Sequence, residues 1–135
     1  MGRTPYAGKL KLLWLKEIIE RETDWQHGLT MRRILELLAL HGVYAERKSV
    51  YTDFDTLISW GMDIQRPSGS DKEYKLLSRE FEVEELETIV AALFAYEPLA
   101  KDKALHIARK LKGICSRMEG KQISNQIYEA MKIKK

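Results

Sequence analysis

Residues 46–60 read ERKSVYTDFDTLISW, and their apolar positions recur with the period of an α-helix. We therefore predict a helix from Arg47 to Trp60, which begins after Glu46 and ends at Gly61. Its inner side carries apolar residues at i, i+4, i+7 and i+8, namely Val50, Phe54, Leu57 and Ile58.

The opposite side of this helix is predicted to be short and polar. Counting 100° per residue from Phe54, the outward positions are Lys48, Ser49, Thr52, Thr56 and Ser59. A helix that lies in the major groove of DNA needs such side chains near its N-terminal end, where they reach phosphates and base edges. Lys48, Ser49 and Thr52 are the residues that we predict to contact bases.

Two more helices are predicted before this one. The first extends from Lys9 to Glu22, and a polar break separates it from the second, which extends from Met31 to His41. Thr30 is the expected N-cap of the second helix, and Gly42 its stop, because glycine readily adopts the left-handed conformation of a C-cap.

The pattern changes after Gly61. Residues 62–66 and 73–76 alternate apolar and polar side chains, as half-buried strands do, and residues 67–71 form a turn-rich cluster between them. This stretch predicts a two-stranded β-hairpin.

Two long apolar stripes follow the hairpin and predict two more helices. One extends from Val83 to Tyr96. The other carries a heptad-like stripe and extends from Lys101 to Met118, with Gly120 as its stop signal. Pro98 separates them, so we expect an antiparallel helical hairpin.

The expected fold class is mostly α with a small β-hairpin, and the architecture is a three-helix winged helix-turn-helix followed by an α-helical hairpin. We divide the chain into a flexible tail at 1–8, a DNA-binding domain at 9–78, a helical hairpin for linkage or dimerisation at 79–120, and a C-terminal linker stub at 121–135.

In a winged helix-turn-helix the third helix lies in the major groove and the hairpin, or wing, lies over the DNA backbone. The predicted backbone contacts are Arg32, Arg33, Arg47, Tyr51, Arg66, Ser68 and Lys72. Two interpretations of Tyr51 stay open: contact with a sugar or phosphate, or packing against the wing. Asp53 and Asp55 are interpreted as structural, either orienting Arg47 or Lys48 or lying away from the groove.

Composition excludes several other classes of protein. The 135 residues are 44% hydrophobic and 32% charged, with a net charge of +3, and no run of 18 apolar residues predicts a membrane span. The three histidines are scattered and Cys115 has no partner thiol, so we expect no metal site, no cofactor and a buried, inert cysteine. The single cysteine and the absence of an apolar leader predict a cytoplasmic protein.

Residues 46–57 also resemble the recognition-helix segment of bacterial transcription regulators of the WYL-domain type. In that family the usual run is a basic pair, a hydroxyl residue, an aliphatic residue, Tyr, a variable residue and Asp, here Arg47 to Asp53. The likeness extends to residues 9–22, 61–64, 74–81, 84–118 and 121–128. Thr52 departs from the pattern, because these regulators often have Arg there, and the ligand-sensing domain that names the family has no counterpart before the sequence stops.

The resemblance implies a DNA-binding transcription factor that forms homodimers, whereas it implies no sensing function for this chain. We expect double-stranded DNA as the partner, no small-molecule site, no membrane and no enzymatic activity, since no nucleophile–base pair or cofactor loop is present. The alternative is a protein–protein interaction module on the winged-helix scaffold, because residues 1–80 are nearly neutral and hold acids near the third helix.

Overall fold

The computed structural model describes residues 7–134, and this part of the chain forms six α-helices and three short β-strands. Their bounds are α1 Ala7–Glu22, β1 Leu29–Thr30, α2 Met31–Leu40, α3 Arg47–Trp60, β2 Ile64–Gln65, β3 Glu73–Leu76, α4 Val83–Ala95, α5 Lys101–Lys112 and α6 Arg117–Ile133. The expected class, mostly α with a small β-hairpin, is confirmed. The chain divides into two compact units, the first ending at Arg79 and the second beginning at Glu80.

The second and third helices have nearly the predicted bounds. Helix α3 has the predicted bounds, and α2 begins after Thr30, whose side-chain oxygen accepts a hydrogen bond from the Arg33 amide at 3.2 Å. Helix α2 ends at Leu40, one residue before the prediction, and Gly42 has the expected positive φ of 77°. The predicted tail is wrong at its end, because α1 already begins at Ala7; its first six residues lie outside the described part of the chain.

The sheet has one strand more than the predicted hairpin. Its order is β1-β3-β2 with antiparallel pairing throughout, so β3 is the central strand and β2–β3 is the wing. The added strand pairs Leu29 with Tyr74. A Cβ atom on Gly28 would lie 2.7 Å from the Cβ of Glu73 and 2.9 Å from the carbonyl oxygen of Tyr74, so only glycine lets the chain approach β3 this closely.

The core of the first unit lies between its three helices and the sheet. The buried apolar residues are Leu15, Ile18, Ile19, Met31, Ile34, Leu38, Val50, Phe54, Leu57, Ile64, Tyr74 and Leu76. The ring of Phe54 stacks on that of Tyr74 with centroids 4.1 Å apart, which joins α3 to the central strand. Ile58, predicted to face the core, is instead 37% exposed, because it lies at the rim of the inner side.

A buried hydroxyl connects the end of α1 to the sheet. Thr23 donates to the carbonyl of Ile19 at 2.7 Å and accepts from the amide of Leu76 at 3.0 Å. The guanidinium of Arg79 donates to the carbonyls of Glu20 and Thr23 at 2.7 and 2.8 Å. The carbonyl of Ile19 also accepts from the amide of Thr23 at 3.2 Å, whereas Arg79 serves the carbonyls of Glu20 and Thr23 at the end of α1.

The second unit is a three-helix unit, so the predicted helical hairpin and linker stub are wrong. The expected helix from Lys101 to Met118 ends at Lys112, and residues 117–133 form α6. The new helix starts at a reciprocal capping box, in which Ser116 accepts from the amide of Glu119 at 3.0 Å and Glu119 accepts from the amide of Ser116 at 3.2 Å. This Ser-x-x-Glu signature is visible in the sequence.

The core of the second unit draws large side chains from α4 and α6 but only small ones from α5. Its buried residues are Val83, Leu86, Val90, Phe94, Ala104, Ala108, Cys115, Ile123, Ile127 and Ala130. Cys115 is buried as expected, although it lies in the turn before α6, where its thiol donates to the carbonyl of Lys112 at 3.3 Å. Since α5 buries only two alanines, its larger apolar side chains remain partly or largely accessible.

Replacing the buried Thr23 hydroxyl by a methyl group tests the connection between α1 and β3. Thr23→Val leaves the Leu76 amide without its acceptor, so the free energy of unfolding should fall by about 1–3 kcal/mol. Thr56→Val is the matched control, because its exposed hydroxyl bonds only to the carbonyl of Thr52 in its own helix, and it should change stability by less than about 0.5 kcal/mol. Urea denaturation measures both, and equal effects of the two substitutions would contradict the assigned role of Thr23.

Candidate nucleic-acid interface

The outward face of α3 carries the side chains predicted for it. All of the five predicted outward residues are exposed, whereas Val50, Phe54 and Leu57 are buried on the other side. The face combines the cation of Lys48 with short hydroxyl side chains such as those of Ser49 and Thr52.

The hydroxyl groups on this face donate their own protons back into the helix. Ser49 donates to the carbonyl of Glu46 at 2.9 Å, Thr52 to that of Lys48 at 3.3 Å, and Thr56 to that of Thr52 at 3.3 Å. In this arrangement the outward lone pairs are acceptors. Acceptors suit the exocyclic amino groups of adenine and cytosine, and the threonine methyl groups suit the methyl group of thymine.

The beginning of α3 is positively polarised. Glu46 stands at the N-cap position without making a side-chain cap bond, and among the first-turn amides its carbonyl accepts from Ser49 at 3.1 Å. Arg47 and Lys48 follow in the first turn, both exposed, and neither forms an ion pair within residues 7–134. Amides, helix dipole and two cations at one helix end are a favourable setting for a phosphate.

Three arginines that we predict to contact phosphates form ion pairs with carboxylates of the protein itself. Arg32 and Arg33 both approach Glu36, with N–O distances of 3.5 and 3.0 Å. Arg66, from the wing, pairs with Asp55 on α3 and lies 3.4 Å from the carbonyl of Tyr51. These pairs are largely exposed, so a phosphate can compete for the arginines at modest cost.

The two aspartates of α3 have partners that sequence reasoning missed. Asp53 pairs with Lys11 of α1, and both side chains are mostly buried. Asp55 pairs with Arg66, so neither aspartate orients Arg47 or Lys48 as the sequence suggested. Partners 42 and 11 residues away become visible only when the helices and the wing are packed together.

The tip of the wing is closed by a tight pairing of Ser68 with Asp71, whose backbone groups exchange hydrogen bonds of 2.9 and 3.0 Å. The Asp71 carboxylate also accepts from the side chain of Gln65 at 3.2 Å and from the amide of Glu73 at 3.0 Å. Ser68 and Lys72 are exposed as predicted, and Lys72 forms no ion pair in the described chain. Asp71 is thus the residue that organises the wing, a role that an Asp in a turn cluster could have suggested.

Tyr51 lies on α3 and is 42% exposed, and its backbone carbonyl accepts from Arg66 of the wing at 3.4 Å. Burial raises the pKa of the neighbouring Tyr74 phenol, and the charge of Tyr51 raises it further, whereas Arg66 and Arg47 lower it. Much of the Tyr51 side chain remains accessible, and both interpretations of Tyr51 stay open.

No protein-family model, no curated protein and no solved structure matches this chain. Within residues 7–134, no group of three or more His, Cys, Asp or Glu side chains is placed to hold a metal ion. In the same part of the chain no helix has the length and apolar character needed to cross a membrane.

The raised pKa of Tyr74 predicts a pH dependence of stability. Below pH 10 the phenol is neutral in both states, and as pH rises through about 10 the unfolded chain ionises first, so the folded state loses stability. Tyr74→Phe should remove this part of the loss, which urea denaturation at pH 8 and near pH 10.5 measures. Tyr44→Phe, at an exposed tyrosine, should keep the parent's pH dependence; the same dependence in Tyr74→Phe would contradict the prediction.

Proposed function

We propose that this chain binds double-stranded DNA in a sequence-specific manner and acts as a cytoplasmic transcriptional regulator, a binding protein rather than an enzyme. In this proposal α3 lies in the major groove and the wing lies on the backbone. The observation that carries it is the face of α3, where Lys48, Ser49 and Thr52 are exposed beside a helix start with two unpaired cations.

Each group of residues has a distinct role in the proposal. Lys48, Ser49 and Thr52 contact base edges, because they stand on the outer side of the first two turns. Seven residues contact phosphates or sugars: Arg32, Arg33, Arg47, Tyr51, Arg66, Ser68 and Lys72. The arginines paired with Glu36 and Asp55 exchange these carboxylates for phosphates on binding, and this exchange adds to the salt dependence.

We also propose that two copies bind two half-sites. The support is apolar surface that the first unit leaves accessible on α1, where Leu10 and Leu13 are 44% and 59% exposed. Sedimentation equilibrium at high protein concentration tests this part, and a strictly monomeric mass both alone and on DNA overturns it.

A protein-binding role is the second candidate. The last residue of α2, Leu40, and Tyr44 in the turn after it are 75% and 77% exposed, which is more apolar surface than a phosphate contact uses. Salt dependence separates the two functions, since each phosphate neutralised adds about 0.9 to the slope of log affinity against log salt concentration.

The direct test removes the base-contacting side chains together. The variant Lys48→Ala, Ser49→Ala, Thr52→Ala should bind a selected duplex at least tenfold more weakly than the parent, because good base contacts contribute about 1–3 kcal/mol each. Fluorescence anisotropy at two salt concentrations measures the loss. Lys103→Ala with Thr88→Ala, two exposed positions of the second unit, is the control. Absence of duplex binding by the parent at low salt would reject the proposal in favour of the protein-binding role.

The Asp55–Arg66 pair yields a prediction of opposite sign. Asp55→Asn removes an acid from the DNA-facing side of α3 and releases Arg66, so DNA affinity at low salt should rise by roughly three- to tenfold, with a steeper salt slope by about one. Asp102→Asn on α5 makes the same charge change in the second unit, at a residue to which the proposal gives no DNA contact, and should have little effect. Weaker binding by Asp55→Asn would mean that Asp55 holds Arg66 in the productive position instead.

A further inference from the structure

A groove of about 230 Å³ lies in the second unit, and none of its lining residues is among those assigned to DNA above. It is formed by α5 and α6 alone. Its lining residues are Leu105, Arg109, Lys112, Ser124, Ile127, Tyr128 and Met131.

The spacing of the lining residues gives the groove the length of a short helix. On α5 they stand at i, i+4 and i+7, and on α6 at i, i+3, i+4 and i+7. Each helix therefore contributes one face over two turns, about 10 Å along its axis. An elongated groove between two helices is the shape into which an amphipathic helix fits its apolar side.

The floor of the groove is apolar because of how α5 is packed. The fully buried residues of α5 are Ala104 and Ala108, whereas Leu105 packs against the edge of the core and stays half-buried at the groove. Tyr128 on the facing helix is 62% exposed, with the ammonium of Lys132 lying 4.4 Å from its ring centroid. The uncharged polar groups of the lining are the hydroxyls of Ser124 and Tyr128.

The charges at the groove are of one sign. The lining contains two cations, Arg109 and Lys112, and no carboxylate, and neither cation forms an ion pair in the described chain. The rest of α5 adds three lysines against one aspartate. A DNA phosphate would match the cations and leave the apolar floor uncovered, whereas an acidic amphipathic helix would match both.

We propose that this groove binds a short amphipathic helix of another protein. The helix presents aliphatic side chains at i, i+3 or i+4, and i+7 to the floor, and acidic side chains at its flanks to Arg109 and Lys112. The proposal is independent of DNA binding by the first unit, and it gives the chain a second interaction surface.

The test is a selection of 14-residue helical peptides from a randomised display library against the full 135-residue chain, followed by anisotropy with the enriched peptides. Enrichment of Glu and Asp beside helically spaced Leu, Ile or Val is expected. Binding should weaken by roughly tenfold or more in Arg109→Glu with Lys112→Glu, and in Tyr128→Ala. Lys103→Glu with Lys110→Glu reverses the same charge on exposed positions of the same helix outside the lining, and should weaken binding less than about threefold.

Three results would overturn the proposal. One is the enrichment of no peptides, or of peptides without acids. Another is dimerisation of the chain that Tyr128→Ala abolishes in sedimentation velocity, which would make a second copy the occupant. The last is loss of duplex DNA binding in Arg109→Glu with Lys112→Glu when no peptide binds, which would assign the cations to DNA. All of these variants change exposed or half-buried side chains, and circular dichroism verifies that each remains folded.

Discussion

The contact between Phe54 and Tyr74 is the one on which the arrangement of the first unit depends. Stacked rings 4.1 Å apart hold the middle of α3 against the central strand of the sheet. Because a helix has one inner side, this contact also decides which residues point outward, and it places Lys48, Ser49 and Thr52 on the accessible face. The same strand, β3, also forms one side of the wing. The stacked rings of Phe54 and Tyr74 therefore connect α3 to the wing.

The electrostatic character of this unit comes from where its charged residues are placed and not from its net charge. The acids of α3 that would repel DNA are each paired with a cation from another element, Lys11 of α1 or Arg66 of the wing. The mostly buried Lys11–Asp53 pair connects two helices, whereas the exposed Asp55–Arg66 pair can exchange partners. A nearly neutral domain can in this way present a basic helix end while keeping its acids neutralised.

Much of the fold could be predicted from the sequence because it is encoded locally. The periodic apolar residues of α3, the Thr30 cap and Gly42 all act within a few residues of themselves. Strand β1 could not be predicted, since two residues carry no periodicity and their pairing with β3 depends on the closeness that Gly28 permits. The partner of Asp53 lies 42 residues away, beyond the reach of any pattern along the chain.

The division of α5 from α6 was missed for a different reason. The apolar periodicity that includes Ile107, Ile114 and Met118 predicted one long helix with a buried stripe. In the structure these three side chains are 37%, 48% and 41% exposed. The capping box of Ser116 and Glu119 is a more specific local signal than the apolar periodicity, and it marks the start of a new helix. On the candidate interface, exposure of the α3 side chains followed from periodicity, whereas the partners of Arg32, Arg33 and Arg66 required the folded geometry.

The hydroxyl of Thr23 has a kinetic consequence. One oxygen donates within the end of α1 and accepts from the amide of Leu76, so the bond to Leu76 is lost whenever the end of α1 and β3 separate. The amide proton of Leu76 is accordingly a reporter for the docking of α1, and its rate of exchange with solvent deuterium measures how often the two elements separate.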